Sequence, residues 1–403
     1  MQGAQSGVVL LTVLMSVAAL AVLGGTIAVL SSIDIKTTGF FKRSVDAYYQ
    51  AEAGVHYVRT RIEADLKTNG LALSAPVETV TYTAPATMQF GDVTQLLRTS
   101  DTNSYYYEVT GTSLTSRCKV GVVFRRRSAF EMGLFGDKEI EMKAYGNVYS
   151  YYSDEITTPG PSDSTGEAYI GSNEEVLTGQ DTLIDGSFQV GEDTSGAQGI
   201  WKETPPGGSI IEGDAALPAD RVDPDPLGAL SGDLANDFAY YSLATNNNND
   251  SASPPITSPQ YKIALNNGVS MTLSAGNYYV ADINLKNGAT LNIDSTSGPV
   301  TIYLTGAMEA KEGSSINFTG NPPDFRIFSN STDSIILKNG GDFKGVIYAP
   351  YADVHILNSG DLYGLIWAGE IEVKNSGSLY IDLSAMQGFP SSSIVFLSWK
   401  EIR

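Results

Sequence analysis

Few residues of this chain have the type and spacing for chemistry. The acidic stretch at 220–226 places Asp220, Asp223 and Asp225 in one oxygen-rich loop, the ligand class a calcium ion takes. It lacks the EF-hand spacing, and a solvated acidic loop explains it as simply. Asp342 and Asp361 fall on successive turns of a repeat and could work as an acid and base pair, or be solvated corner residues. His56 follows Glu52 by one helical turn, where a local pair forms, and His355 has no recognisable partner. No zinc-type spacing, nucleophile elbow or phosphate loop occurs. The residues therefore assign no catalytic group, no cofactor and no metal site beyond that weak calcium candidate. Cys118 is the single cysteine, so no intrachain disulfide forms, and its apolar alternation CKVGVVF reads as core. Arg125, Arg126 and Arg127 read as a solvated strand end.

Composition narrows the classes. With 25 basic and 45 acidic residues the formal net charge is −20. Nucleic acid and anionic membrane surfaces would repel such a chain, so no nucleic-acid partner is expected. Only 17% of residues are charged, while Gly reaches 41 and Tyr 22, a texture of extracellular β structure.

The elements that must carry these residues begin with 8–30, VVLLTVLMSVAALAVLGGTIAVL, which holds no charge. Such a run spans a bilayer as a helix. It is longer than the apolar core of a secretory signal, and a plain membrane anchor is the simplest alternative. The segment 40–66 continues with Val45, Tyr48, Tyr49, Ala53, Tyr57, Val58 and Ile62 at helical spacing. One nearly continuous helix over 8–66 would be about 88 Å long.

Residues 67–128 form a small β-rich unit with alternating stretches such as YYYEVTG. Short strands and turns follow over 129–194. Residues 195–260, rich in Pro, Gly, Asn and acid, read as an insertion that holds a short helix at 233–244 with Asp233 as its N-cap. From 261 to 386 a repeat is plain: INLKNGATLNI, MEAKEGSSINF, SIILKNGGDFKG, VHILNSGDLYG and IEVKNSGSLYI, with turns at Asn287, Glu312, Asn339, Asn358 and Asn375. A period near 20 with this pattern predicts a β-solenoid in which Ile302, Ile327, Ile347 and Ile366 stack as an inner column. The tail, 387–403, reads as a strand that either caps the stack or joins the small sheet.

The seven-residue leader ending in Gly7, the apolar run from Val8 and the motif Ala51-Glu52-Ala53-Gly54 resemble the N-terminus of PilX-like type IV pilus minor pilins. They also resemble the K-type minor pseudopilins of type II secretion. The resemblance implies cleavage after Gly7, with Val8 as the first mature residue and Thr12 at mature position five. Most pilins carry there a glutamate that pairs with a neighbour's terminal amine. Thr12 cannot, which points toward a tip or initiating subunit. The stretches GNPPDFRI, GVIYAPYADV, GLIWAGEIEV and GLFGDKEIEM look like the glycine-rich β-solenoid that follows PilX-type N-termini.

The expected fold is α+β, mainly β: a long transmembrane and amphipathic helix, a pilin-like β unit and a right-handed β-solenoid (β-helix) head. The expected function is a non-enzymatic minor pilin-like subunit for assembly priming or adhesion. It would lie in the inner membrane before assembly, then in an extracellular filament at the cell surface. Its partners would be other pilin subunits through the helix, and a surface glycan or protein ligand. Two alternatives stand beside it, a tip pseudopilin of type II secretion and a membrane-tethered polysaccharide-active solenoid enzyme.

Overall fold

The computed structural model describes residues 3–69, 81–82, 93–98, 104–113, 116–128, 130–143, 146–204, 209–216, 221–338, 342–357, 360–374, 377–386 and 389–402. Two compact units divide the chain, 1–126 with 394–403, and 127–393.

The first unit is built on α1, Gly3–Asn69, a single helix of 67 residues. Residues from Val13 to Phe41 expose their apolar side chains, Leu20 at 68% and Phe41 at 72%. Thr26 Oγ1 donates back to the Val22 carbonyl at 2.8 Å, which hides its hydroxyl within the helix. Further along, Ala47, Ala51, Val55 and Val58 share one face and bury against a sheet. That sheet runs Thr81–Tyr82, Val93–Arg98, Ser104–Ser113, Ser116–Ser128 and Pro390–Ile402 in this order. The terminal strand thus joins the small sheet, one of the two positions open to it. Ser104–Ser113 and Ser116–Ser128 pair antiparallel with Val109 opposite Val120 and Gly111 opposite Cys118. Alternation puts Tyr107, Val109, Val120, Val122 and Phe124 on the helix side.

The buried stripe differs from the sequence expectation. Tyr49 is 62% exposed and Ala53 is exposed, while the smaller Ala47 and Ala51 are fully buried. Gly111 explains the offset. A Cβ there would lie 1.9 Å from the Ala47 carbonyl oxygen and 2.5 Å from the Ala51 nitrogen. Helix and strand backbones touch, so only small residues fit between them.

The second unit is mainly strands paired in parallel. One ladder runs through Gly276–Val280, Val300–Leu304, Phe325–Ser329, Phe343–Leu357, Leu362–Lys374, Leu134–Met142, Ala168–Ser172 and Gly186–Val190. A second runs from Lys262–Leu265 through Asp282–Leu285, Met308–Ala310 and Ile335–Leu337. It continues on the far halves of the three long strands and ends at Glu175–Gly179 and Ile200–Thr204. A third joins Leu362–Lys374, Leu379–Asp382, Asn147–Tyr151, Leu183–Ile184 and Ile210–Ile211. A separate sheet stacks Ser270–Ser274, Thr290–Asp294 and Ser315–Asn317.

Register aligns the interior. In the first ladder Tyr278, Ile302, Ile327, Ile347, Ile366, Leu134, Ile170 and Phe188 are successive partners, each at most 2% exposed. The four isoleucines expected as a column are consecutive in it. Fully burying one such side chain contributes about 1.5–3 kcal/mol. Corners are made by Gly268, Gly288 and Gly313, with φ of 72°, 72° and 77°, a region that favours glycine. Asn339, Asn358 and Asn375 lie outside the described residues.

Spatial order departs from chain order. The chain starts in the interior of the stack at Leu134–Met142 and builds toward one end at Ala215–Ala216. It reappears at the opposite end at Lys262–Leu265 and builds back until Leu362–Lys374 pairs with Leu134–Met142. Residues 221–260 run between those ends as a strap. They cover a column of Tyr303, Phe328, Tyr348, Trp367 and Phe135 on the outer side of the first ladder. Both faces of these strands are therefore buried, which is why GVIYA and GLIWA are continuously apolar and VTIYL nearly so.

Candidate functional site

Three regions collect the residues that could act: α1, the strap and the outward rows of the second ladder.

Gly7 and Val8 lie within α1, and the side chains of Val8 and Thr12 are outside the described residues, as are those of Arg125, Arg126 and Arg127. Among the described residues α1 is the one helix long and apolar enough, by length and composition, to cross a membrane. Of the motif Ala51 to Gly54, Ala51 and Gly54 are buried, Glu52 is half-buried and Ala53 exposed. The nearby Gln50 Oε1 accepts from the Thr112 backbone N–H at 3.1 Å, fixing the helix along the strand.

The strap holds the acidic loop. Asp220 lies outside the described residues. Asp223 Oδ1 accepts from the Asp225 N–H at 3.0 Å, an Asx-type turn. The Asp225 carboxylate accepts from the Tyr348 hydroxyl at 2.7 Å, the Tyr351 hydroxyl at 2.5 Å and the Ala229 N–H at 2.8 Å. Burial, then the Asp225 charge, pushes the Tyr348 hydroxyl well above its ordinary range. Trp367 Nε1 donates to the Pro224 carbonyl at 2.7 Å, and Arg221 reaches Asp137 at 2.8 Å. Further on, α2, Asp233–Tyr241, packs Phe238 edge-on and Tyr241 stacked against Tyr303. Its N-cap is Gly232, not Asp233. Asp233 is the first helical residue, where a carboxylate favours the helix dipole. Asn249 then bonds the backbone of Tyr279 in both directions, at 2.8 and 3.1 Å.

The second ladder points a carboxylate row outward. Asp353, Glu370, Glu139 and Glu175 are successive partners in register, about 4.8 Å apart. Burial, then the neighbouring Glu141, Glu175 and Glu370, raises the Glu139 carboxyl. Burial, then Glu370, raises Asp353. Lys138 meets Glu370 at 3.1 Å, and these groups line a cleft of about 340 Å³ with Glu174, Asp193 and Gly199. In the next outward row His355 Nδ1 lies 3.0 Å from Glu372 Oε2. Burial pushes the Glu372 carboxyl up, but hydrogen bonds from Lys374, Lys143 and His355 outweigh it and hold it at about 2. Asp342 Oδ1 accepts from the Asp361 N–H at 2.9 Å, and Asp361 Oδ1 from the Ser378 N–H at 2.6 Å, so both are corner residues tied to the following strand. Among the described residues no group of three or more His, Cys, Asp or Glu is placed to hold a metal ion.

Sequence reasoning missed the carboxylate row. Asp353 and Glu370 come from one part of the chain and Glu139 and Glu175 from another, and only the register brings the two pairs together.

Residues 242–387 match a family model described as a domain of unknown function, DUF7305. The chain is similar to a solved structure titled as the crystal structure of competence-associated pilin ComZ from Thermus thermophilus, at 12% identity and a TM-score of 0.36, covering 89% of this chain and 97% of that one. No curated protein matches.

Proposed function

We propose that the chain is a minor pilin-like subunit of a type IV pilus or a related filament. One observation carries the reading: α1 is continuous from an exposed apolar stretch to a face of small residues fitted to an antiparallel sheet. The exposed half suits lipid before assembly and other subunits after it. In this reading the inner membrane holds the protein first, and the extracellular filament displays it later. The leader is removed after Gly7, and Val8 begins the mature chain. Thr12 then stands where no carboxylate can pair with a neighbour's amine, which supports a position at the tip.

The parallel ladders are the faces of a right-handed β-solenoid head, whose successive rungs the strap interrupts. The head primes assembly or adheres to a surface rather than catalysing. Its prominent polar groups are engaged in the fold: Asp225 by Tyr348 and Tyr351, Asp361 by Ser378, His355 by Glu372.

Mass spectrometry of the N-terminus from assembled filaments tests the reading. A terminus at Val8 is expected, and an intact Met1 terminus on assembled material overturns it.

A further inference from the structure

The second ladder ends each strand at the same corner, and there the chain repeats lysine. The backbone N–H groups of Lys286, Lys311, Lys338 and Lys143 donate to Leu265, Leu285, Ala310 and Val373 at 3.0, 2.9, 2.7 and 2.9 Å. Lys374 pairs in register with Leu357. The corner position therefore reads Lys286, Lys311, Lys338, Leu357, Lys374, Lys143 along the stack. Adjacent strands are about 4.8 Å apart, so the row is about 24 Å long. In a chain of net charge −20 these cations form one line.

The two halves of the row differ. Lys374 and Lys143 share Glu372, and Lys143 also meets Glu141 at 3.3 Å. In the other half, Lys311 meets Glu309 at 3.5 Å with 43% of its side chain exposed, and Lys286 Nζ donates to the neutral amide oxygen of Asn266 at 3.0 Å. Exposed pairs of this kind contribute little, so these ammonium groups remain open to exchange for an external anion.

We propose that Lys286, Lys311 and Lys338 form a docking line for a linear anionic polysaccharide with one carboxylate per sugar, laid along the stack. The fit is one of charge density: such a chain carries one charge per sugar, and the line carries one charge per strand. A denser polyanion such as a nucleic acid would meet Glu309 and the Asp353–Glu370–Glu139–Glu175 row with more charge than the line can match. The line belongs to the second unit alone, so it stands or falls independently of the filament reading.

The test uses the full chain in detergent, polygalacturonate as the probe and calorimetry at low and at physiological salt. Binding that weakens with salt is expected, with at least a tenfold loss in the triple variant Lys286→Gln, Lys311→Gln, Lys338→Gln. A control triple variant, Lys138→Gln, Lys202→Gln, Lys262→Gln, removes the same charge elsewhere and should bind as the parent does. No binding by the parent, equal loss in both variants, or tighter binding of polyphosphate or single-stranded DNA than of polygalacturonate overturns the proposal.

Discussion

The hydroxyl of Tyr348 donates to Oδ1 of Asp225 at 2.7 Å, across a sequence separation of 123 residues. It joins a strand in the middle of the stack to the strap that runs between its ends, and Tyr351 and Ala229 complete the same carboxylate.

Asp225→Ala should loosen the strap. It leaves the fully buried Tyr348 hydroxyl without its acceptor, a loss of about 1–3 kcal/mol. Thermal unfolding of the variant should start lower, with proteolysis appearing first between 221 and 260. An unchanged melting temperature together with unchanged proteolysis would show that the clasp contributes nothing.

Gly111→Ala should be among the costliest single-methyl changes in the protein. Its Cβ would meet the Ala47 carbonyl oxygen and Ala51 nitrogen, and neither backbone can yield without parting helix from sheet. Gly24→Ala is the matched control, since nothing lies within 4 Å of its Cβ and alanine favours the helix. Protease resistance of the membrane-extracted proteins should fall sharply for the first and hold for the second.

Ile347→Asp and Ile366→Asp place an unpaired charge at column positions that are 0% exposed, which costs several kcal/mol. Both should abolish the cooperative β signal in circular dichroism. Ile347→Val should lower stability by only about 1 kcal/mol. Tolerance of either aspartate would mean the column is not the core.

The charged rows make opposite contributions with pH. Glu372 has its folded pKa lowered to about 2 from 4.5, so its stabilisation is present above the unfolded value and is lost as pH falls through that window. Glu139 is raised, so its ionisation destabilises at neutral pH and the penalty disappears on acidification. Glu139→Gln should therefore raise the melting temperature at pH 7 and have little effect near pH 3. Glu372→Gln should lower it at pH 7. The same sign for both variants at neutral pH would contradict this assignment.

The inner column was legible in the sequence because an isoleucine holds the third position of each of VTIYL, FRIFS, GVIYA and GLIWA. The helix was legible because nothing interrupts its apolar run. Its buried face was less so: large aromatics such as Tyr49 draw attention, yet Gly111, some sixty residues away, decides that alanines lie beneath the sheet. The strap read as a loop since its apolar anchors, Leu227, Leu234 and Phe238, serve partners on other strands and so show no extended period of their own. Asp223 and Asp225 looked like cation ligands because the tyrosines that occupy Asp225 lie more than a hundred residues downstream.

The permuted order of the stack has a mechanical consequence. The second unit begins and ends beside itself: Ser128 Oγ donates to the Met386 carbonyl, and Leu134–Met142 lies along Leu362–Lys374. Tension applied at the two ends of this unit enters at Leu134–Met142 and leaves at Leu379–Asp382, each of which is paired on both sides within the stack. The outermost strands carry no tension, so pulling does not unwind the structure from either end.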